Sequence, residues 1–103
     1  MSFSNQTIQM ATLTDSYKVL SGTNDIADSP VFVDVATVLG KDAQFAAVTT
    51  SEDMTVKINT TLGDSIPISA GEPDPGVVSG HRIDSLYLDI LTDTTSWTII
   101  VFG

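Results

Sequence analysis

Few residues in this chain could carry acid–base or nucleophilic chemistry, and they are scattered. His81 is the only histidine and lies in "VVSGHRID", close to Ser79 and Asp84. A Ser-His-Asp relay can be drawn through the three, but a chain this rich in Ser and Asp supplies such a trio by chance. No strained nucleophile turn frames the serine. His81 therefore reads as a loop or surface residue, and the chain reads as a non-enzyme. Calcium is the next possibility, with Asp25 and Asp28 in "NDIADSP" or Glu72 and Asp74 in "GEPDPG" as oxygen ligands. Neither stretch has the alternating acidic spacing and closing Glu of a calcium loop, and turns use Asp for their own hydrogen bonds. One histidine and no cysteine leave little for a transition metal. No metal or other cofactor is expected.

A glycosidase needs two carboxylates facing each other across a cleft, and thirteen acidic residues cannot be paired from sequence. Sugar binding without hydrolysis would use Tyr17, Tyr87 and Trp97 as stacking platforms. Trp97 alternates with Ile99 and Val101, however, and that spacing favours packing in a β core. Phosphate-cradling glycine loops are missing. Thirteen acidic residues against four basic ones give a formal charge of -9. Duplex nucleic acid and anionic bilayers are repelled by such a surface, so neither is expected as a partner. The first residues, "MSFSNQTIQM", lack the basic start and apolar run of a secretory signal, and no stretch is long and apolar enough to span a membrane. A soluble protein with its native start is the expectation.

The elements that would position these residues read as strands. At 103 residues the chain makes one domain able to fold without disulfides. "MTVKIN" alternates Met54, Val56 and Ile58 with Thr55, Lys57 and Asn59, the period-2 pattern of a half-buried antiparallel strand. Further strands are predicted at Thr7 to Leu13, Tyr17 to Leu20, Val31 to Val35, Gln44 to Thr49, Ser65 to Ala70, Arg82 to Leu91 and Trp97 to Phe102. The separators, among them "SGTNDIADSP" and "AGEPDPGVVSG", are rich in turn residues. Within "DVATVLGKDAQF", Val35, Val38 and Leu39 could share the face of a short helix stopped by Gly40. Pro67 removes a ladder donor and marks an edge strand or a bulge. The fold class is therefore all-β: a single antiparallel β-sandwich or jelly-roll-like domain of about eight short strands over 1–103, with 1–10 a candidate extended N-terminal arm.

"SWTIIVFG" raises the question of its second face. Trp97, Ile99 and Val101 point one way, while Ile100 and Phe102 point the other, so both faces are apolar. With only "TDTTS" between it and "HRIDSLYLDIL", the two strands are expected to form a hairpin. One hairpin face closes the core. The other is covered either by segments of the same chain, such as "GEPDPGVVSG" or Ile8, Met10 and Leu13, or by another subunit.

The run "MTVKINTTLGDSIPISAGE", followed by "RIDSLYLDILTDTTSWTIIVFG", resembles a pattern in small virion structural proteins of tailed bacteriophages. The likeness spans roughly half of the chain and is structural, carrying no catalytic residue. It implies a β-sandwich among capsid decoration or cement proteins and other head or tail accessory components. On that reading the protein sits in the virion after synthesis in the host cytoplasm. It would bridge subunits of the major capsid protein and associate with itself, as a trimer. The interface is expected at Tyr87, Ile100 and Phe102 of the hairpin, with Phe3 and Ile8 from the arm. The alternative is a carbohydrate-binding or receptor-binding β module.

Overall fold

The computed structural model describes residues 16–71 and 76–103, with the backbone alone over 76–81. Among the described residues, eight strands run in chain order: β1 (Tyr17–Asn24), β2 (Val31–Val33), β3 (Ala43–Thr50), β4 (Met54–Ile58), β5 (Ile66–Ile68), β6 (Gly76–Ile83), β7 (Leu86–Ile90) and β8 (Thr95–Phe102). They form two four-stranded sheets, ordered β1-β8-β3-β6 and β2-β7-β4-β5, in which every paired strand is antiparallel. First pairs with last, second with seventh, third with sixth and fourth with fifth. The chain is thus one long hairpin wrapped upon itself, which is the jelly-roll arrangement. It changes sheet at every connection except the β4–β5 turn.

Alternation decides which residues meet between the sheets. Leu86, Leu88 and Ile90 of β7 face Trp97, Ile99 and Val101 of β8, with Val48, Met54 and Val56 in the same cluster. Burying side chains of this size contributes about 1.5–3 kcal/mol each. Both β7 and β8 carry a complete inward row, so each takes a central place in its own sheet. They are therefore not the hairpin that the short linker suggested. Residues 91–94 carry the chain across the sandwich, a separation of about 10 Å.

The expected strand Arg82 to Leu91 is likewise split, because Ile83 and Leu86 are both fully buried. An odd separation along one straight strand would send them to opposite faces. A break at Asp84 and Ser85 lets Ile83 close the first sheet and Leu86 the second. Asn59 holds this break: its Oδ1 accepts from the backbone N–H of Asp84 (2.9 Å) and Ser85 (3.3 Å), and its Nδ2 donates to the Arg82 carbonyl (2.8 Å). The residue adopts φ 63°, a left-handed conformation that Asn tolerates better than most.

Other expectations meet the structure directly. Pro67 lies in β5, which pairs only β4 and so forms a sheet edge among the described residues. The short helix exists as α1 (Val35–Leu39), capped by Asp34, whose carboxylate accepts from Thr37, and stopped by Gly40 at φ 85°. Of the three residues expected to share its apolar face, only Val35 and Leu39 pack inward; Val38 is exposed. The strand predicted at Val31 to Val35 ends at Val33 where this helix begins. β6 falls largely within "AGEPDPGVVSG", whose turn residues point to a loop, so the strand there is a correction to the sequence pattern. The strand expected at Thr7 to Leu13 and the arm at 1–10 lie outside the described residues.

Candidate functional site

Among the described residues, those singled out for chemistry are not brought together into one site. Ser79 and His81 lie on the backbone of β6, with side chains outside the described residues, as are Glu72 and Asp74. Asp84 accepts from the Ser85 hydroxyl at 3.0 Å in the β6–β7 break. The loop aspartates serve the turns that hold them. Asp28 accepts from the Asp25 backbone N–H (2.9 Å) and from the Asn24 side chain (3.2 Å). These two bonds, the backbone one first, hold the Asp28 carboxyl below its ordinary value of 3.8. Asp25 in turn accepts from the Thr94 N–H at 2.8 Å, and Asp93 from the Ile26 N–H at 2.9 Å. This reciprocal pair ties the β1–β2 loop to the β7–β8 crossover. Among the described residues no group of three or more His, Cys, Asp or Glu could hold a metal ion.

The three candidate stacking residues are separated, one in the core and one on each outer face. Trp97 points inward at 8 % exposure, its indole N–H donating to Asn24 Oδ1 at 2.9 Å. The indole lies over Gly22 on the neighbouring strand, where a Cβ would come within 2.7 Å of the six-membered ring. Core packing is its role. Tyr17 lies on the outer face of the first sheet, and Tyr87 on the outer face of the second.

The first outer face carries an ordered set of side chains. Cross-strand register places Tyr17, Phe102 and Phe45 in one row, then Val19, Ile100 and Ala47, then Ser21, Thr98 and Thr49. Thr23 and Ser96 extend the series and share a hydrogen bond at 3.0 Å. None of these outward residues of β1, β8 and β3 is charged, in a protein of net charge -9. Phe45 and Phe102 stack with centroids 4.4 Å apart, and Tyr17 tilts against Phe102 at 6.3 Å. With Ala47 and Ile100, the two phenylalanines form a second apolar cluster outside the main core. Toward the β1 edge the face is open: Tyr17 is 62 % exposed and Val19 56 %.

The second outer face differs in kind. Phe32, Tyr87 and Lys57 form one row across β2, β7 and β4, and Asp89, Thr55 and Pro67 form the next. Phe32 and Tyr87 pack with centroids 5.3 Å apart and planes inclined by 44°. Phe32 is 55 % exposed. Asp89 accepts from the Thr55 hydroxyl at 3.2 Å, and Lys57 donates to the Thr61 carbonyl at 3.2 Å.

The expected interface residues are therefore divided. Ile100 and Phe102 belong to the first outer face, where Ile100 is half-buried and Phe102 is 2 % exposed within the single chain. Tyr87 belongs to the opposite side of the sandwich, and Phe3 and Ile8 lie outside the described residues. Sequence reasoning passed over Val19 and Phe32, although the alternation in "YKVL" and "VFV" carried the signal. A scan against protein-family models finds no match to the chain, and no curated protein matches it.

Proposed function

We propose that this chain is a bacteriophage virion structural protein, a decoration or cement protein that associates with itself and bridges subunits of the major capsid protein. The observation that carries the reading is the uncharged outer face of β1 and β8, open at Tyr17 and Val19. Interface cores are depleted in charge and enriched in aromatic residues, and this face meets both conditions. The jelly roll supports the reading at the level of analogy only, because viral capsid domains share that architecture with lectins and cupins. The remaining acidic surface would keep assembled particles apart in solution.

Association through a face also suits three of the four sheet edges among the described residues, those of β1, β2 and β5. β2 and β5 have three residues each, β5 carries Pro67, and β1 carries Lys18 at an inward-facing edge position. Short strands, proline and inward charges all discourage edge-to-edge pairing. Sedimentation of the purified chain alone and with phage capsids tests the proposal. A mass above that of one chain and co-pelleting with capsids are expected. A strict monomer that stays in the supernatant would overturn it.

A further inference from the structure

The second outer face presents a different chemistry from the first, and its role is independent of the capsid proposal. Phe32 and Tyr87 stand side by side on adjacent strands, with Lys57 next to Tyr87 in the same row. Asp89 is the next outward residue on β7, about 7 Å along the strand from Tyr87, and neighbouring strands lie about 4.8 Å apart. An aromatic pair, a carboxylate residue and an ammonium residue thus share this face, each lying within one strand spacing or two residues of Tyr87.

Interface cores between proteins are depleted in Lys and Asp, whereas this face carries Lys57 and Asp89 beside its aromatic pair. A polyhydroxylated ligand meets both groups with its hydroxyls. Its C–H face packs on the aromatic rings, while its hydroxyls donate to a carboxylate and accept from an ammonium group. The polar side chains retain capacity for this. Asp89 uses one oxygen for Thr55, and the Lys57 ammonium uses one of its three protons for Thr61. Acidic sugars are disfavoured by the net charge of -9. We propose that the outer face of the second sheet binds a neutral hexopyranose unit of a glycan, stacked on Phe32 and Tyr87 and hydrogen-bonded by Asp89 and Lys57.

The test is a titration of the ¹⁵N-labelled protein with maltohexaose, cellohexaose and a galacto-oligosaccharide, followed by amide shifts. Saturable shifts confined to residues 31–33, 55–57 and 87–89 are expected with at least one of the three. Phe32→Ala, at an exposed position, should weaken binding about 10-fold or more, and Asp89→Asn several-fold, with the rest of the amide spectrum unchanged. The absence of saturable shifts up to roughly tens of millimolar sugar would overturn the proposal. So would shifts that persist in Phe32→Ala. Loss of capsid co-pelleting in Phe32→Ala, without a sugar response in the parent protein, would assign the face to protein contact instead.

Discussion

Gly22 and Trp97 form a pair whose fit depends on the glycine having no side chain. An added Cβ would lie 2.7 Å from Trp97 Cζ2 and 3.0 Å from Cε2, and the bond from the indole to Asn24 resists withdrawal of the ring. Gly22→Ala should therefore cost about 1–3 kcal/mol in urea unfolding. In the Trp97→Phe background, which lacks the clashing ring, the same change should cost much less, a non-additivity that a double-mutant cycle reads directly. Asn59 acts through both conformation and hydrogen bonds. Asn59→Ala forces a Cβ residue without polar groups into φ 63° and removes three bonds, for an expected loss of about 2–4 kcal/mol. Asn59→Gly tolerates the backbone angle and should be the milder change. Asp28 adds a pH dependence of definite sign. Its folded carboxyl titrates below the ordinary value of 3.8, so its stabilising effect is complete above that value and is lost as pH falls through the lower folded one. The stability difference between the protein and Asp28→Asn should therefore shrink as pH is lowered below about 4, measured by urea midpoints at successive pH values.

At the scale of elements, the strands that could be read from sequence are those with one wet face. β4 shows clean alternation because Thr55 and Lys57 face outward, and Pro67 marks an edge because a missing N–H is intolerable elsewhere in a sheet. The α1 stop at Gly40 was equally legible, since a left-handed angle is encoded in the residue itself. Sheet membership was not legible. β7 and β8 look like a hairpin by spacing, and only the requirement that both inward rows be buried against each other places them in different sheets. The split at Asp84 and Ser85 depends on a distant residue, Asn59, which no local pattern identifies. The candidate site suffered likewise: Tyr87 and Phe102 read as one apolar surplus, yet jelly-roll wrapping puts them on opposite sides. Phe102 shows how firmly the first outer face is built. Stacked between Tyr17 and Phe45 and almost wholly buried, it should cost about 3–5 kcal/mol when changed to Ala. Phe32→Ala on the more exposed pair should cost less, and equilibrium unfolding of the two variants makes the comparison.

For the whole molecule, the distribution of charge matters more than its sum. A chain of net charge -9 repels its own copies at every orientation that brings two acidic surfaces together. The outward residues of β1, β8 and β3 avoid this, running from Tyr17, Phe102 and Phe45 to the hydroxyls of Thr23 and Ser96 without a charged side chain. If contact is made through this face, a single carboxylate placed in it should act on association and leave folding intact. Val19 is the position to use: it is 56 % exposed on an edge strand, where a substitution alters stability by about 0.5 kcal/mol or less. Placed at an interface, the same carboxylate is desolvated and faces like charge, which costs several kcal/mol. Val19→Glu should therefore keep its urea midpoint while losing most self-association and capsid co-pelleting. Leu62→Glu, at the most exposed large apolar residue among those described and in the β4–β5 loop of the other sheet, should retain both. A Val19→Glu protein that still sediments as an oligomer and still pellets with capsids would remove the first outer face from the interface, whatever the function of the chain.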